Sequence, residues 1–206
     1  PNIPVGRHCF RPYPCDYLGT CWKDTLTEKS IFNLPVIDKN RIFDWHNSGI
    51  KNIEELKDHH LEKPNFIKVK NAFVNGEPII DLPKIEQFLA RIKSPVAAMD
   101  MEIWNPAIPQ IEGTKPFEQV PFLVCFSDET SNSHFFTGNT PDGRKEYAEK
   151  LIELSAPYTT IIVYDKTLEV SVIENLARMF PDYQQALGIL KNKFVDVFDI
   201  FLGLSY

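Results

Sequence analysis

Two acidic residues one position apart, Asp100 and Glu102, end the short apolar run that begins near Val96. If this run is a buried strand, its side chains alternate between two faces, so both carboxylates project from one side about 7 Å apart. Like charges repel by on the order of 4 kcal/mol at ~4 Å and an effective dielectric constant of ~20, and Mg²⁺, which takes carboxylate oxygens, relieves that repulsion. The pair predicts a metal site. The alternative is a solvated loop, since Asp-x-Glu is a short and common pattern.

Two more acids follow apolar runs further along the chain. Glu169 lies in the first turn of a predicted helix, just after the apolar run Ile161–Tyr164. Asp196 follows another apolar pair, Phe194-Val195. Ligand sites of open α/β sheets lie at the carboxyl ends of strands, so Glu169 would face the first acid pair if the two strands are neighbours. The alternative is that Glu169 only complements the dipole of its helix.

Three cysteines near the start of the chain, Cys9, Cys15 and Cys21, are separated by five residues each. A disulfide framework is not expected in a cytoplasmic chain. Three thiolates in one loop suit zinc or an iron–sulfur cluster, both of which require four protein ligands. His8 could complete a zinc site, although adjacent ligands strain a tetrahedral geometry. The alternative is three reduced, partly buried thiols.

Two further reactive side chains fall in predicted strands. Cys125 lies in an apolar run, which predicts a core residue. His134 opens a short strand, and a role as general base stays open for it. The sequence shows no glycine-rich phosphate loop and no legible Ser/His/Asp or Cys/His arrangement.

The elements that must position these residues alternate between strand and helix patterns over the second half of the chain. The order of three strands, a helix, a strand and two helices predicts a mixed α/β layer arrangement. The predicted strands are Val96–Ile103, Val120–Phe126, His134–Phe136 and Thr160–Tyr164, and the predicted helices are Arg144–Leu154, Leu168–Phe180 and Gln184–Phe194.

The segment before this region has weaker patterns. Residues 38–57 predict two short amphipathic helices joined by a turn. The alternation in Phe66–Lys70 predicts a strand, and the Asn75-Gly76 turn followed by Glu77–Ile80 predicts a hairpin. Residues 81–93 predict a helix that begins with an Asp N-cap and a Pro in the first turn.

The composition limits the classes of protein to which the chain can belong. The chain has 206 residues, of which 43% are hydrophobic, and a formal net charge of −6. This is enough for one domain of about 100–150 residues and a smaller one. No apolar run approaches the ~20 residues that span a bilayer, and no signal peptide is legible, so we predict a cytoplasmic protein without a membrane partner. The acidic balance argues against a broad basic surface for nucleic acid, yet an acidic nuclease site is compatible with it.

Both ends of the chain look like cut points, since Pro1 runs into the cysteine segment and an apolar run stops at Tyr206. We interpret the chain as a fragment of a longer protein. Its predicted organisation is a cysteine-bearing loop segment at 1–23, a helical and hairpin connector at 24–94, and an α/β domain at 95–206 that is truncated at its C-terminus.

The acidic motifs resemble those of a known class of enzymes. Asp-x-Glu on a first strand, a later strand leading to Tyr-Asn-x-x-Phe-(Asp/Glu), and a further Asp resemble the DEDD-type 3′–5′ exonucleases of the RNase H-like superfamily. Nearly the whole chain is similar to an uncharacterised bacterial family of unknown function, number 2779. The stretches that carry this similarity are His8-Cys9, Pro12–Cys15, Cys21-Trp22, Asn105–Pro109 and Pro116–Phe122.

The resemblance implies an RNase H-like mixed sheet flanked by helices and a nuclease site. Asp100 and Glu102 correspond to the first-motif metal ligands and Glu169 to the second-motif acid, while Asp196 matches an acid near the metal shell. Such sites hold two Mg²⁺ or Mn²⁺ ions roughly 4 Å apart, which activate a water and stabilise the leaving 3′ oxygen. Cys9, Cys15 and Cys21 resemble the tail of the iron–sulfur motif of RecB-like nucleases, in which another cysteine lies far upstream.

The chain departs from the exonuclease pattern at several positions. Ile103 stands where Thr is usual, Asp165 where Asn is usual and Leu168 where Phe is usual, and the last acidic motif has no match before Tyr206. The competing hypothesis is therefore a degenerate domain that only binds nucleic acid or a protein partner. A third hypothesis is a scaffold for metal bound by the cysteines.

Overall fold

The computed structural model describes residues 4–35, 37–137 and 142–202. The two chain ends interpreted above as cut points lie outside the described residues. The described chain divides into two compact units, with the division between Asp81 and Leu82. The domain boundaries predicted after residues 23 and 94 stay predictions.

The first unit is built from short helices around an aromatic cluster. Trp22, Phe43 and Cys9 are buried together, and the Trp22 ring meets Phe32 edge-on at 4.9 Å and Phe10 at 5.2 Å between centroids. Edge-to-face pairs of this kind add to the stabilisation that apolar burial provides. The helices are α1 Leu18–Cys21, α2 Lys39–Asn47, α3 Asp58–Leu61 and α4 Pro64–Asn75, with 3₁₀ turns at Arg7–Phe10, Ile31–Asn33 and Ile53–Glu55.

The predicted hairpin after residue 63 is wrong, because this segment forms helix α4. Pro64 occupies the first turn, and Gly76 ends the helix in a left-handed conformation, with φ of 71° and its N–H donated to the Ala72 carbonyl at 2.8 Å. Pro at the start and Gly just past the end are the usual boundaries of a helix. Val69 is buried and Phe66 is partly buried, and the two residues are three positions apart, as on one face of a helix. The short apolar and polar alternation of Phe66–Lys70 fits this spacing as well as that of a strand.

In the second unit, the strands are β1 Val96–Trp104, β2 Val120–Ser127, β3 Asn132–Phe136, β4 Thr160–Val163 and β5 Phe194–Asp196. They form one mixed sheet in the order β3-β2-β1-β4-β5. The β1/β2 and β2/β3 pairs are antiparallel, and the β1/β4 and β4/β5 pairs are parallel. The helices are α5 Leu82–Leu89, α6 Arg144–Ser155, α7 Thr167–Met179, α8 Gln184–Asn192 and α9 Phe198–Leu202, with a 3₁₀ turn at Pro181–Tyr183. The predicted α/β fold, a mixed sheet flanked by helices, is confirmed.

The core of this unit lies between one face of the sheet and helices α6, α7 and α8. Met99 and Met101 of β1 contribute to it together with Tyr147, Leu151 and Ile173 from the helices. Buried apolar surface of this kind is the main stabilising term, at about 25 cal/mol per Å². None of the described helices combines the length and apolar composition needed to cross a membrane.

The helical conformation of residues 64–75 can be tested at its end. Gly76→Ala should lower the free energy of unfolding by about 1 kcal/mol, because alanine is strained at positive φ. No other atom lies within 4 Å of the position of the added Cβ, so the effect should come from the backbone alone. The measurement is chemical unfolding followed by circular dichroism.

The matched control for this prediction lies inside the same helix. Asn71 is exposed on α4, and Asn71→Ala should be neutral or slightly stabilising, since alanine has the higher helix propensity. A larger loss of stability for Asn71→Ala than for Gly76→Ala would contradict the helix.

Candidate active site

Asp100 and Glu102 lie within β1 itself rather than in a loop after it. Burial alternates along the strand, with Met99 and Met101 buried and the two acids exposed. Strand alternation therefore places both carboxylates on the face that points away from the core. We call this side of β1, β2 and β3 the open face.

The register across the open face adds two residues to the acid pair. Asp100 is paired with Cys125, and Cys125 with His134, so the three residues form one row across three strands. Cys125 is exposed, and its prediction as a core residue is wrong. The reason is that its neighbours Val124 and Phe126 occupy the core side of β2, which turns Cys125 outward. No spacing in the sequence signals this row, because it depends on the pairing of strands.

Glu169 is the most unusual acid in the second unit. Its side chain is only 4% exposed, and its Oε2 atom has no hydrogen-bond partner among the described residues. Burial raises the pKa of Glu169, a hydrogen bond from its own backbone N–H partly opposes that rise, and the charges of Asp100, Asp165 and Asp196 raise the pKa further. A buried polar atom without a partner costs about 1–3 kcal/mol. An unpaired buried atom of this kind calls for an explanation, such as strain, an ordered water, an ion or a catalytic role.

The lengths of the strands explain why the charge of Asp100 affects the pKa of Glu169. The last pairing of β1 with β4 joins Ala98 to Ile162, and β4 ends at Val163. From Asp100 onward, β1 therefore runs beside the turn into α7 rather than beside a strand. The carboxyl end of a parallel strand next to the start of a helix is where ligands bind in open α/β sheets.

Asp196 holds the turn that presents Glu169. It is buried, and its carboxylate accepts hydrogen bonds from the backbone N–H groups of Asp165 at 2.9 Å, Lys166 at 3.0 Å and Phe198 at 2.9 Å. These donors occupy three of the roughly four acceptor positions of a carboxylate. The resemblance implies a catalytic role for Asp196 near the metal shell, and this role stays a prediction. In the structure, its hydrogen bonds support the turn between β4 and α7.

Asp165, which stands where the exonuclease pattern has Asn, is compatible with the turn before α7. Asp165 has a φ of 52°, a conformation that Asp and Asn tolerate better than other side chains. Its Oδ1 accepts a hydrogen bond from the Thr167 hydroxyl at 2.6 Å, which fixes the first turn of α7. Leu168 and Ile103, the other two departures, are partly buried against the core. All three positions therefore keep a structural role.

The loop between β1 and β2 is tied to the same helices. The Gln119 side-chain oxygen accepts a hydrogen bond from the Ser171 hydroxyl of α7 at 3.0 Å. Arg144 at the start of α6 is buried and pairs with Asp142 at 2.7 Å and Glu118 at 3.1 Å. These contacts hold the approach to β2, and with it the register that places Cys125 beside Asp100.

The cysteines of the first unit are in different environments. Cys9 is buried against Trp22 and Phe43, whereas Cys15 and Cys21 are exposed. The Cys15 N–H donates to the Cys9 carbonyl at 2.8 Å, so this part of the loop is folded back on itself. Within residues 4–35, 37–137 and 142–202, no three His, Cys, Asp or Glu side chains are grouped so that they could hold a metal ion.

Comparison with known proteins covers the region that contains the candidate site. The model of the family described as Domain of unknown function (DUF2779) matches residues 97–206, just over half of the chain. The chain belongs to this family. Curated proteins and solved structures yielded no match. The DUF2779 region includes β1 and α7, and therefore Asp100, Glu102 and Glu169.

The carboxylates of this DUF2779 domain can be tested against the ligand requirements of a hard cation. Mg²⁺ is usually held by one or two protein carboxylates, with waters and substrate phosphates completing the shell, rather than by an all-protein cage. The unpartnered Glu169 oxygen and the nearby charge of Asp100 fit that kind of partial site. The residues thus fit one such cation, although they form no preassembled three-ligand group.

Asp196→Asn tests whether the turn depends on this side chain. An amide offers one acceptor oxygen where the carboxylate offers two, so at least one backbone N–H would lose its partner. We expect the free energy of unfolding to fall by about 1–3 kcal/mol, measured by chemical denaturation. Asp182→Asn, at an exposed position, is the control and should change little. Equal stability of the two variants would exclude the supporting role of Asp196.

Glu169→Gln tests the electrostatic cost of the buried carboxylate. Because the folded-state pKa is raised above the ordinary value of 4.5, the folded protein binds this proton more tightly than the unfolded chain. Stability is therefore greater below that ordinary value and falls as the pH rises through the raised pKa. Near neutral pH and with EDTA present, the variant should be more stable than wild type, because its amide carries no charge that burial and the neighbouring acids oppose.

The control for this prediction is Glu174→Gln on the exposed side of α7. A hydrogen bond from Lys191 lowers the pKa of Glu174, so its amide variant should not be more stable than wild type at neutral pH. Unfolding curves at several pH values measure both variants. A Glu169→Gln protein that is less stable than wild type near pH 7 would contradict the unfavourable environment of Glu169.

Proposed function

We propose that this DUF2779 domain is a metal-dependent nuclease that hydrolyses phosphodiester bonds, with Mg²⁺ or Mn²⁺ held by Asp100, Glu102 and Glu169. The observation that carries the proposal is the buried Glu169 carboxylate, which has one oxygen without a partner and feels the charge of Asp100. A hard cation would satisfy that oxygen and neutralise the repulsion. The resemblance to 3′–5′ exonucleases suggests cleavage from a 3′ end.

The chemistry of phosphodiester hydrolysis suits this arrangement. A bound divalent cation supplies an activated water and neutralises charge on the leaving oxygen. The chain's own residues contribute orientation: Asp196 fixes the turn, and α7 fixes the Glu169 carboxylate at the end of the sheet. The exposed Asp100 and Glu102 leave room on the open face for a phosphate and for solvent.

The absence of positive side chains on the strands is consistent with the proposed dependence on a cation. Strands β1, β2 and β3 contain no Lys or Arg. A nucleic acid backbone carries one negative charge per phosphate and would be repelled by Asp100 and Glu102. A divalent ion between carboxylate and phosphate changes the sign of that interaction. Binding should therefore depend on the metal more strongly than in nucleases with basic grooves.

A non-catalytic, exonuclease-like domain that binds nucleic acid or a protein partner is the second candidate. Two observations favour it. Asp196 is committed to the turn, and the described residues lack a three-ligand group, so a second cation would be weakly held. Calorimetric titration with Mn²⁺ separates the candidates, since absence of binding heat together with intact binding of a single-stranded oligonucleotide supports the non-catalytic domain.

A metal at Cys9, Cys15 and Cys21 is a separate proposal. An iron–sulfur cluster or zinc ion there would require Cys9 to leave its packing against Trp22, or the loop to rearrange. Elemental analysis of the full-length protein prepared without oxygen tests this proposal. A sample without iron and zinc would exclude it.

The nuclease proposal is tested by the double variant Asp100→Asn/Glu102→Gln in the full-length protein. It should abolish Mn²⁺- or Mg²⁺-dependent cleavage of a 5′-labelled single-stranded oligonucleotide, because both carboxylates of β1 are removed. It should also abolish stabilisation by the metal, which for wild type is about 2.7 kcal/mol at a concentration 100-fold above Kd. Thermal unfolding with and without Mn²⁺ provides this second measurement.

Glu129→Gln, at an exposed position between β2 and β3, is the matched control and should cleave like wild type. A double variant that cuts as well as wild type would refute the nuclease proposal. Loss of cleavage with unchanged stabilisation by Mn²⁺ would show that the ion binds elsewhere.

A further inference from the structure

Exposed aromatic rings surround the acid pair on the open face. Trp104 lies two residues beyond Glu102 on β1 and is 42% exposed, and Phe136 of β3 is 56% exposed. Glu102 is paired with Leu123, which is paired with Phe136, so the acid and the ring occupy one row across the sheet. From the spacing of strands and residues, Trp104 lies about 7 Å and Phe136 about 10 Å from Glu102.

A third ring borders the acids on the side of β4. Tyr164 directly follows β4, two residues beyond Ile162, the residue paired with Ala98 of β1. It is 65% exposed, and its ring meets Phe198 at 5.6 Å between centroids. Tyr164 therefore lies just past the end of β4, in the segment beside which β1 runs from Asp100 onward.

We propose that the open face binds the unpaired bases of a single-stranded nucleic acid by stacking on Trp104 and Phe136, with Tyr164 as a third stacking surface. This inference rests on the proposed nuclease function and names the form of its substrate. Aromatic side chains bind every base through its π-face, and each stacked base contributes measurably to affinity. Paired bases in a duplex would not present those faces.

The mixture of rings and carboxylates decides between possible occupants. A protein partner packed flat on this face would remove Asp100 and Glu102 from water, and β1, β2 and β3 contain no Lys or Arg to compensate them. An anionic membrane surface would be repelled by the same acids. A nucleotide brings a phosphate, which a divalent ion joins to the carboxylates, and a base, which the neighbouring rings contact. Of the three occupants, only single-stranded nucleic acid uses both kinds of side chain.

Tryptophan fluorescence makes the proposal measurable. Of the three tryptophans, Trp22 is 1% and Trp45 is 8% exposed, against 42% for Trp104, so a stacked base should quench mainly Trp104. The 206-residue chain is titrated in Ca²⁺, which takes the same oxygen ligands as Mg²⁺, with octamers of deoxythymidine or uridine. Saturable quenching by either octamer is expected. Quenching should be absent with an abasic octamer, which carries the same phosphates without bases.

The variants separate stacking from a general effect on the fold. Trp104→Ala and Phe136→Ala should each weaken octamer binding by about 5- to 150-fold, measured by anisotropy of a labelled octamer. Trp104→Phe should retain most of the affinity while losing the fluorescence signal. Phe73→Ala, at a ring of similar exposure in the first unit (45%), is the control and should bind like wild type. Circular dichroism and thermal unfolding show whether each variant is folded.

The outcomes distinguish this inference from the nuclease proposal. Equal binding of the normal and abasic octamers, or unchanged affinity of folded Trp104→Ala and Phe136→Ala proteins, would overturn the stacking surface even if the protein cleaves nucleic acid. Conversely, base-dependent quenching in a protein that never cleaves would support the stacking surface while the nuclease proposal fails. Absence of binding to any octamer would overturn the inference directly.

Discussion

The buried carboxylate of Asp196 joins three parts of the fold on which the candidate site depends. It lies at the end of β5 and accepts hydrogen bonds from N–H groups in the turn after β4 and at the start of α9. Several backbone donors satisfy most of the acceptor positions of a buried carboxylate. Because α7 begins at this turn, the hydrogen bonds of Asp196 hold the segment that presents Glu169. The geometry of the acids thus follows from one short edge strand.

Glu169 and Asp196 show how two buried acids in one neighbourhood can have opposite environments. Asp196 has three donors, whereas one oxygen of Glu169 has none among the described residues. The helix dipole and its own N–H favour a charge on Glu169, but burial and three neighbouring acids oppose it more strongly. In most proteins the local helix position and the tertiary environment of a side chain favour the same charge state. Positions where they disagree occur mainly at functional or strained sites. The proposed cation would remove this conflict by giving the unpartnered oxygen a ligand.

Strand and helix periodicity predicted most of the second unit correctly, and pairing decided the rest. The run from Val96 alternates clearly, so its strand and the shared face of Asp100 and Glu102 were legible from the sequence. Cys125 and His134 join that face only through the register of β2 and β3, which no local pattern reveals. The residues Phe66–Lys70 fit the period of a strand and that of a helix, so their pattern does not predict α4. Pro64 and Gly76, at the two ends of the helix, are the residues that indicate it. The hydrogen bonds of Asp196 reach residues about 30 positions away and leave no signature in the sequence.

The alternation of β1 makes the core and the candidate site depend on each other. Met99 and Met101 fill the core from the same strand that presents Asp100 and Glu102, so a slip of one residue would bury the acids and expose the methionines. The register shifts between Glu102 and Ile103, where Phe122 is the extra residue of β2. A bulge increases the local twist and turns the following side chains, which here include Trp104. Trp104 lies just beyond this bulge and keeps the same face of β1 as the two acids.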